Sequence, residues 1–371
     1  MFTLKKANKT KPKHLLVIRL TAMGDVALIA PVLNALVKQY PQVSVTLLTL
    51  EKWTPIFAHI PGLKLHFAHP KTTHRGLGGL WKLSREIAAL RPSAIADLHH
   101  VLRSKIIRFF LKPLQLQTAV LDKGRAEKKA LTAFPNKTFR PLTHTTLRYA
   151  AVFESLGYPL LLAEEALLPK PATPQLTLPQ LTTPQLTTFQ PDPKTKCIGV
   201  APFAAHIGKQ YPLQKMKEAL RIFMAEQKNK YQLVFFGGGP VEQPLIKQLC
   251  QDFPKSTHAL DLSFEQELSL IAHLDLMLAM DSGNAHLAAM YGVPTLTLWG
   301  NTHPYAGFYP FLQDPNNALL ADRNLYPGLP TSVFGNKVPK GYEKVMDTIA
   351  PVAVAEKMAA ILEKPSASGQ K

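Results

Sequence analysis

The chain has 371 residues, 46% of them hydrophobic and 8% aromatic, with a formal net charge of +18. That length exceeds one ordinary core and suits two domains of about 150–200 residues, while the absence of any run of about 18 uncharged apolar residues argues against a membrane span. Cys197 and Cys250 are the only cysteines and stand in unrelated contexts, which excludes a disulfide framework or cysteine metal site and suits a reducing compartment.

The start "MFTLKKANKTKPKHLLVIRLTAMGD" imitates a secretory signal, but Arg19 and Asp25 interrupt its apolar patch, so the reading is a cytoplasmic protein. Residues 1–13 form a basic tail with Lys5, Lys6, Lys9, Lys11 and Lys13. Near an anionic bilayer each such cation contributes about 1 kcal/mol; a mobile solvated tail fits equally. The net charge itself predicts attraction to a polyanion, whether nucleic acid, anionic lipid or phosphorylated glycan.

The first half then alternates strands and helices. Strands are expected over 14–20, 43–50, 63–67, 94–98 and 116–120, with helices over 26–39 and 77–90 between them. Such alternation implies a parallel sheet with right-handed crossovers. A helix over 144–156 ends at Gly157 with Pro159 beyond it, closing a first domain of residues 14–160. Next comes a proline-rich linker, 161–195, in which "PQLT" occurs three times; proline this dense removes amide donors and opposes helix or central strand. A second alternation fills 196–345: strands over 197–201, 232–236, 275–280 and 295–299, and helices over 213–227, 241–250 and 284–291. Residues 346–371 supply a last amphipathic helix and a tail. The fold class is therefore α/β, with two parallel-sheet domains facing each other across a cleft where ligands of open sheets bind.

Four stretches carry chemistry-bearing residues. "RLTAMGDVALIAPVL" sets a turn with Gly24 between strand and helix, and offers neither the three glycines of a dinucleotide loop nor a Gly-Lys-Ser/Thr phosphate loop. Asp25 there either favours the helix dipole, by about 0.3–1 kcal/mol, or acts as a general base at the sheet's carboxyl edge. "APFAAHIGKQYPL" places Lys209 ahead of a helix that Pro212 can start, so that cation and helix amides can share one anion. "VFFGGGPVEQPL" follows a strand with Gly237, Gly238 and Gly239 and then Glu242; the glycines permit close ligand approach and the acid suits ribose hydroxyls. "MLAMDSGNAHLAAMYGVPTLTLWG" sets Asp281, Ser282 and Gly283 at a strand end, followed by Asn284 and His286. Ser282 can cap the helix, with the Gly283 and Asn284 amides pointing outward as an oxyanion or diphosphate cradle and Asp281 placed to hold sugar hydroxyls; a purely structural capped helix also explains Ser282 and Gly283.

Taken together, "HLLVIRLTAMGDVALIAPVLNALVKQYPQVSVTLLT" and "MDSGNAHLAAMYGVPTLTLWG" resemble the two end signatures of the heptosyltransferases of glycosyltransferase family nine, with "GKQYP" and "GGGPVE" between them in the expected order. The resemblance implies the GT-B fold, two Rossmann-like domains with acceptor on the amino-terminal and nucleotide sugar on the carboxy-terminal side. It implies inverting transfer of heptose from an ADP-sugar to a lipopolysaccharide core acceptor, with no metal or other cofactor. Asp25 matches that family's proposed base, Lys209 its diphosphate lysine, Glu242 its ribose contact and Asp281 its sugar contact. Ser282, Gly283 and His286 match its diphosphate cradle. Two departures stand out: "GNTHP" carries Asn301 and His303 where relatives have glycine and acid, and Ala204 and Ala205 stand where some carry hydroxyls.

The expected partners are thus a nucleotide sugar, an anionic glycolipid precursor, and the cytoplasmic face of the inner membrane. The alternatives are another nucleotide sugar, a nucleotide-sugar epimerase and a nucleic-acid-binding protein. Against the last, the chain shows no zinc-finger spacing, aromatic RNA-binding signature or recognition-helix motif.

Overall fold

The computed structural model describes residues 11–171, 176–179, 186–189, 195–227 and 231–364. Lys5, Lys6 and Lys9, most of the "PQLT" stretch and the final tail lie outside these residues. Among the described residues, no helix is long and apolar enough to cross a membrane.

A parallel strand covered on both faces must be apolar throughout. β1 (His14–Ile18) meets this requirement with Leu15 to Ile18 fully buried. It is followed by α1 (Met23–Gln39), β2 (Ser44–Thr49), a short α2 (Thr54–Phe57), β3 (Leu63–Phe67) and α3 (Gly76–Ala89), then β4 (Ala94–Asp97), α4 (Leu102–Leu111) and β5 (Gln117–Val120). The five strands form a parallel sheet in the order β3-β2-β1-β4-β5. α3 and α4 cover one face of it, where Leu80, Leu83, Ile87, Ile107 and Leu111 pack with Leu16, Ile18 and Leu48. At the end of β4 the buried Asp97 carboxylate accepts from the His99 and His100 amides and pairs with Arg108 of α4 at 2.9 Å.

α5 (Arg125–Leu131) and α6 (Thr145–Ser155) come next. β6 (Leu176–Pro179) and β7 (Leu186–Phe189) then pair antiparallel, Leu176 opposite Phe189. The proline-dense stretch is therefore not devoid of strand. A two-stranded ribbon has only edge strands, where a missing amide is tolerated.

The second sheet uses β8 (Lys196–Ala201), α7 (Leu213–Glu226), β9 (Tyr231–Phe235), α8 (Gly239–Asp252), β10 (Thr257–His258) and α9 (Phe264–Ala272), followed by β11 (Leu276–Met280), α10 (Gly283–Ala289), β12 (Thr295–Trp299), β13 (Ala318–Leu320) and α11 (Pro351–Glu363). Its six strands run parallel in the order β10-β9-β8-β11-β12-β13. Because β9, β8, β11 and β12 are neighbours, the loops after them share one carboxyl edge. Its core joins Phe223, Phe235, Met280, Leu298 and Met358, with α11 packed against α7.

Contacts divide the chain into two compact units. The first comprises the described residues up to Ala22 together with Ile29–Lys123 and Thr146–Ala166; the second comprises Met23–Leu28, Gly124–Thr145 and the described chain from Leu167 onward. The opening turn of α1, which carries Asp25, thus belongs with the second unit.

Gly199, within β8, shows how closely that sheet is packed: an added Cβ would lie 2.5 Å from Leu274 Cδ1 and 3.0 Å from Phe236 Cε2. Gly199→Ala is expected to cost about 1–3 kcal/mol by overpacking. An unchanged urea midpoint would contradict this packing.

Candidate active site

The carboxyl edge of the second sheet gathers polar residues because each strand there ends in a loop. After β8, a single 3-10 turn, Ile207–Lys209, brings Lys209 back over the edge. Its Nζ lies 2.8 Å from Asp281 Oδ2, and the two side chains are 16% and 6% exposed. The aliphatic stem of Lys209 rests on Gly335, where an added Cβ would come within 2.5 Å of Lys209 Cγ. The turn is held by Asn301, whose amide donates to the Gly208 carbonyl at 2.8 Å. The Asn301 side chain donates to the Tyr342 carbonyl at 3.1 Å and accepts from Thr331 Oγ1 at 2.6 Å. The backbone at this departure from the resembled signature thus braces the lysine turn, while the asparagine side chain is satisfied by Tyr342 and Thr331.

Asp281 follows β11, and α10 starts directly after it. Ser282 occupies the N-cap position, but its side chain makes no capping bond and its Oγ is buried without a hydrogen-bond partner. The expected Ser282 cap is therefore corrected: an extended backbone puts it at the cap position while the hydroxyl turns away from the helix amides. Gly283 and Asn284 form the first turn, both half-buried. One turn on, His286 is buried and its Nδ1 also lacks a partner. Burial pushes the imidazole down to about 4, against the opposing pull of Asp281 and then Asp25. It is therefore neutral at physiological pH.

Asp25 comes to this site on the first turn of α1. The expectation of a Gly24 turn ahead of the helix needs correction: α1 begins at Met23, so Gly24 is already helical. Gly24 is there for close approach. An added Cβ would lie 3.0 Å from His286 Cδ2, and one on Gly283 would lie 2.2 Å from Met23 Cε. Two side-chain-free positions let the first turns of α1 and α10 touch, which sets the half-buried Asp25 in the field of His286.

Glu242, Gly238 and Gly239 form a separate group after β9. Glu242 Oε2 accepts from the Gly238 amide at 2.9 Å, folding the carboxylate back over the glycine loop. Gly237 is packed against Ile246 and Glu242, whereas an added Cβ on Gly238 or Gly239 meets nothing within 4 Å. Space for a ligand therefore opens over the second and third glycines only.

Sequence reasoning missed the contribution of Gly124–Thr145. His144 Nε2 donates to the Tyr309 carbonyl at 2.6 Å and adds to the electrostatics of His286. Phe139 lies under the Arg323 guanidinium at 3.5 Å and beside His303 and Tyr305. Burial, followed by the charges of Arg323 and Lys137, holds His303 near 4. Lys137 itself is drawn down to about 8 by burial and Arg323. No motif or period marks this stretch; only tertiary contact exposes its role.

A partly buried ammonium beside a carboxylate, with two unpartnered buried polar atoms next to it, is an arrangement able to receive an anionic, hydroxyl-rich ligand. Asp25 adds a second carboxylate whose charge, like that of Asp281, acts on His286.

A model of glycosyltransferase family 9 (heptosyltransferase) matches residues 81–329. The lipopolysaccharide core heptosyltransferase OpsX of Haemophilus influenzae is 26% identical over 303 residues, covering 79% of this chain and 80% of that protein. Among solved structures, the family 9 glycosyl transferase of Veillonella parvula superposes with a TM-score of 0.66 at 20% identity, covering 94% of this chain and 97% of that one. Escherichia coli ADP-heptose lipopolysaccharide heptosyltransferase II gives 0.62 at 19%, covering 94% and 98%. These likenesses establish the fold, two Rossmann-like parallel-sheet domains of the GT-B class.

His286 and His303, held near 4, lie below the ordinary 6.5 of an unfolded histidine. The unfolded chain therefore binds their protons first, so stability is full above about pH 6.5 and falls as pH drops toward 4. Each is expected to cost about 2 kcal/mol at about pH 5. Urea titrations at both pH values should show His286→Asn losing less stability on acidification than the parent; an equal loss would contradict the buried neutral imidazole.

Proposed function

This chain belongs to glycosyltransferase family 9, the heptosyltransferases, and we propose that it transfers heptose from an ADP-sugar to a lipopolysaccharide core acceptor with inversion at the anomeric carbon. The observation that carries this reading is the convergence of Lys209, Asp281, His286 and Asp25, with Ser282 Oγ and His286 Nδ1 left unpartnered beside the ion pair. The relative named as a lipopolysaccharide core heptosyltransferase supports the acceptor class.

Lys209 and the first-turn amides of α10 receive the diphosphate, while Glu242 reaches the ribose over the open Gly238–Gly239 loop. Asp281 accepts sugar hydroxyls and fixes the lysine. An acceptor hydroxyl attacks the anomeric carbon as its proton passes to Asp25. The carbon–oxygen bond to the diphosphate breaks, its electron pair leaves with ADP, and the new glycosidic bond has the opposite configuration. The charge developing on the leaving group is met by fixed donors that need no reorganisation, the main electrostatic advantage of such a site. Lys209 carries that charge in place of a divalent ion, and no resident cofactor takes part.

The lipid-borne acceptor locates the reaction at the cytoplasmic face of the inner membrane. The nucleotide-sugar epimerase alternative gives way to glycosyl transfer, the chemistry of the family.

Asp25→Asn is expected to keep the fold and the thermal stabilisation by ADP-heptose, yet to lose on the order of 10²–10⁴ in turnover measured in EDTA. Retention of most of the turnover would remove Asp25 from the role of base.

A further inference from the structure

α3 and α4 lie side by side on one face of the first unit's sheet, and each turns an unpartnered side outward. On α3 the outward stripe is Leu77, Trp81 and Arg85, spaced by four; on α4 it is Leu102, Lys105 and Phe109, spaced by three and four, with Lys112 just beyond the helix end. The large apolar members are far from buried: Leu77 is 65%, Trp81 52%, Leu102 75% and Phe109 69% exposed. The Arg85 guanidinium sits 5.2 Å from the Trp81 ring centroid.

The charge on this surface is mostly positive. From Leu98 to Leu121 the sequence contains no acid; of the flanking acids, Asp97 is buried against Arg108 and the exposed Asp122 lies 3.8 Å from Arg148. Glu86 is the only acid in α3, and it faces His66 and His74 at 3.5 and 3.3 Å. A shallow cavity along α4 is lined by Lys105, Arg108 and Lys112 together with Phe109 and Leu116. It sets Lys105 and Lys112 beside an apolar floor, Arg108 being already paired with Asp97.

We propose that the outward faces of α3 and α4 dock the enzyme on an anionic lipid bilayer, a contact that presupposes the lipid-borne acceptor. Single exposed hydrophobes need no explanation. Large apolar side chains interleaved with cations on two adjacent helices form the pattern that seats a helix in the headgroup layer. Trp81 and Phe109 enter the apolar boundary, while Arg85, Lys105 and Lys112 meet lipid phosphates. Nucleic acid fits less well, because Leu77 and Leu102 have no ring on which a base can stack.

Co-sedimentation with phosphatidylglycerol–phosphatidylcholine vesicles, pure phosphatidylcholine vesicles and a DNA duplex tests this surface. The parent chain should bind the anionic vesicles, and more weakly as salt rises. Trp81→Glu/Phe109→Glu and Lys105→Glu/Lys112→Glu should each weaken that binding by about tenfold or more, with melting temperature and transfer to a delipidated core saccharide unchanged. Undiminished vesicle binding by both double variants, or binding to DNA without binding to vesicles, would overturn the proposal. Vesicle binding lost in the variants while no acceptor receives heptose would refute the acceptor reading and uphold the docking surface.

Discussion

The Lys209–Asp281 ion pair is the constraint on which the site depends. A pair this far from water is weak evidence for stability, since desolvating two charges offsets most of their attraction. Its value is positional. At 2.8 Å from a carboxylate fixed at the end of β11, the ammonium cannot turn out to solvent without leaving Asp281 alone. Gly335 under its stem and Asn301 behind its turn close off the other directions. The cation is thereby presented, already ordered, where a diphosphate would meet the start of α10, and little ordering entropy remains to be lost on binding.

A second constraint is steric. Met23–Leu28 belong with the second unit, and Gly24 and Gly283 carry no side chains at the point where α1 and α10 meet. That approach sets Asp25 and Asp281 on His286, which burial keeps neutral in spite of both. A neutral imidazole in the field of both carboxylates is able to hydrogen-bond a sugar or phosphate oxygen. On the proposed reading the two constraints divide the work: Lys209 and α10 would address the leaving group, and Asp25 the incoming hydroxyl.

Much of this was legible in the sequence where local and tertiary demands agree. The sheet strands are continuous apolar runs, and most were found because parallel strands buried on both faces leave no other pattern. Asp281 was legible as a site candidate because a polar residue directly after such a strand falls at the carboxyl edge, which Lys209 and His286 reach through a loop and a helix turn. β10 and β13 escaped notice because strands of two and three residues carry no period. α9 was legible in principle, since Ser263 and Gln266 form a capping box at its start. The reason for Gly24 was misread because close approach and turn formation leave the same single letter. Ser282 was misread because its sequence position fixes the cap backbone but not the direction of its hydroxyl. His144, Phe139 and Arg323 were beyond reach, their partners being more than a hundred residues away.

The central claim, that Lys209 serves the diphosphate, is tested most directly by calorimetric titration of ADP, AMP and adenosine into the parent chain and Lys209→Met. The substitution should sharply weaken ADP binding, weaken AMP less and leave adenosine unchanged. An equal loss for all three, or none for ADP, would contradict it.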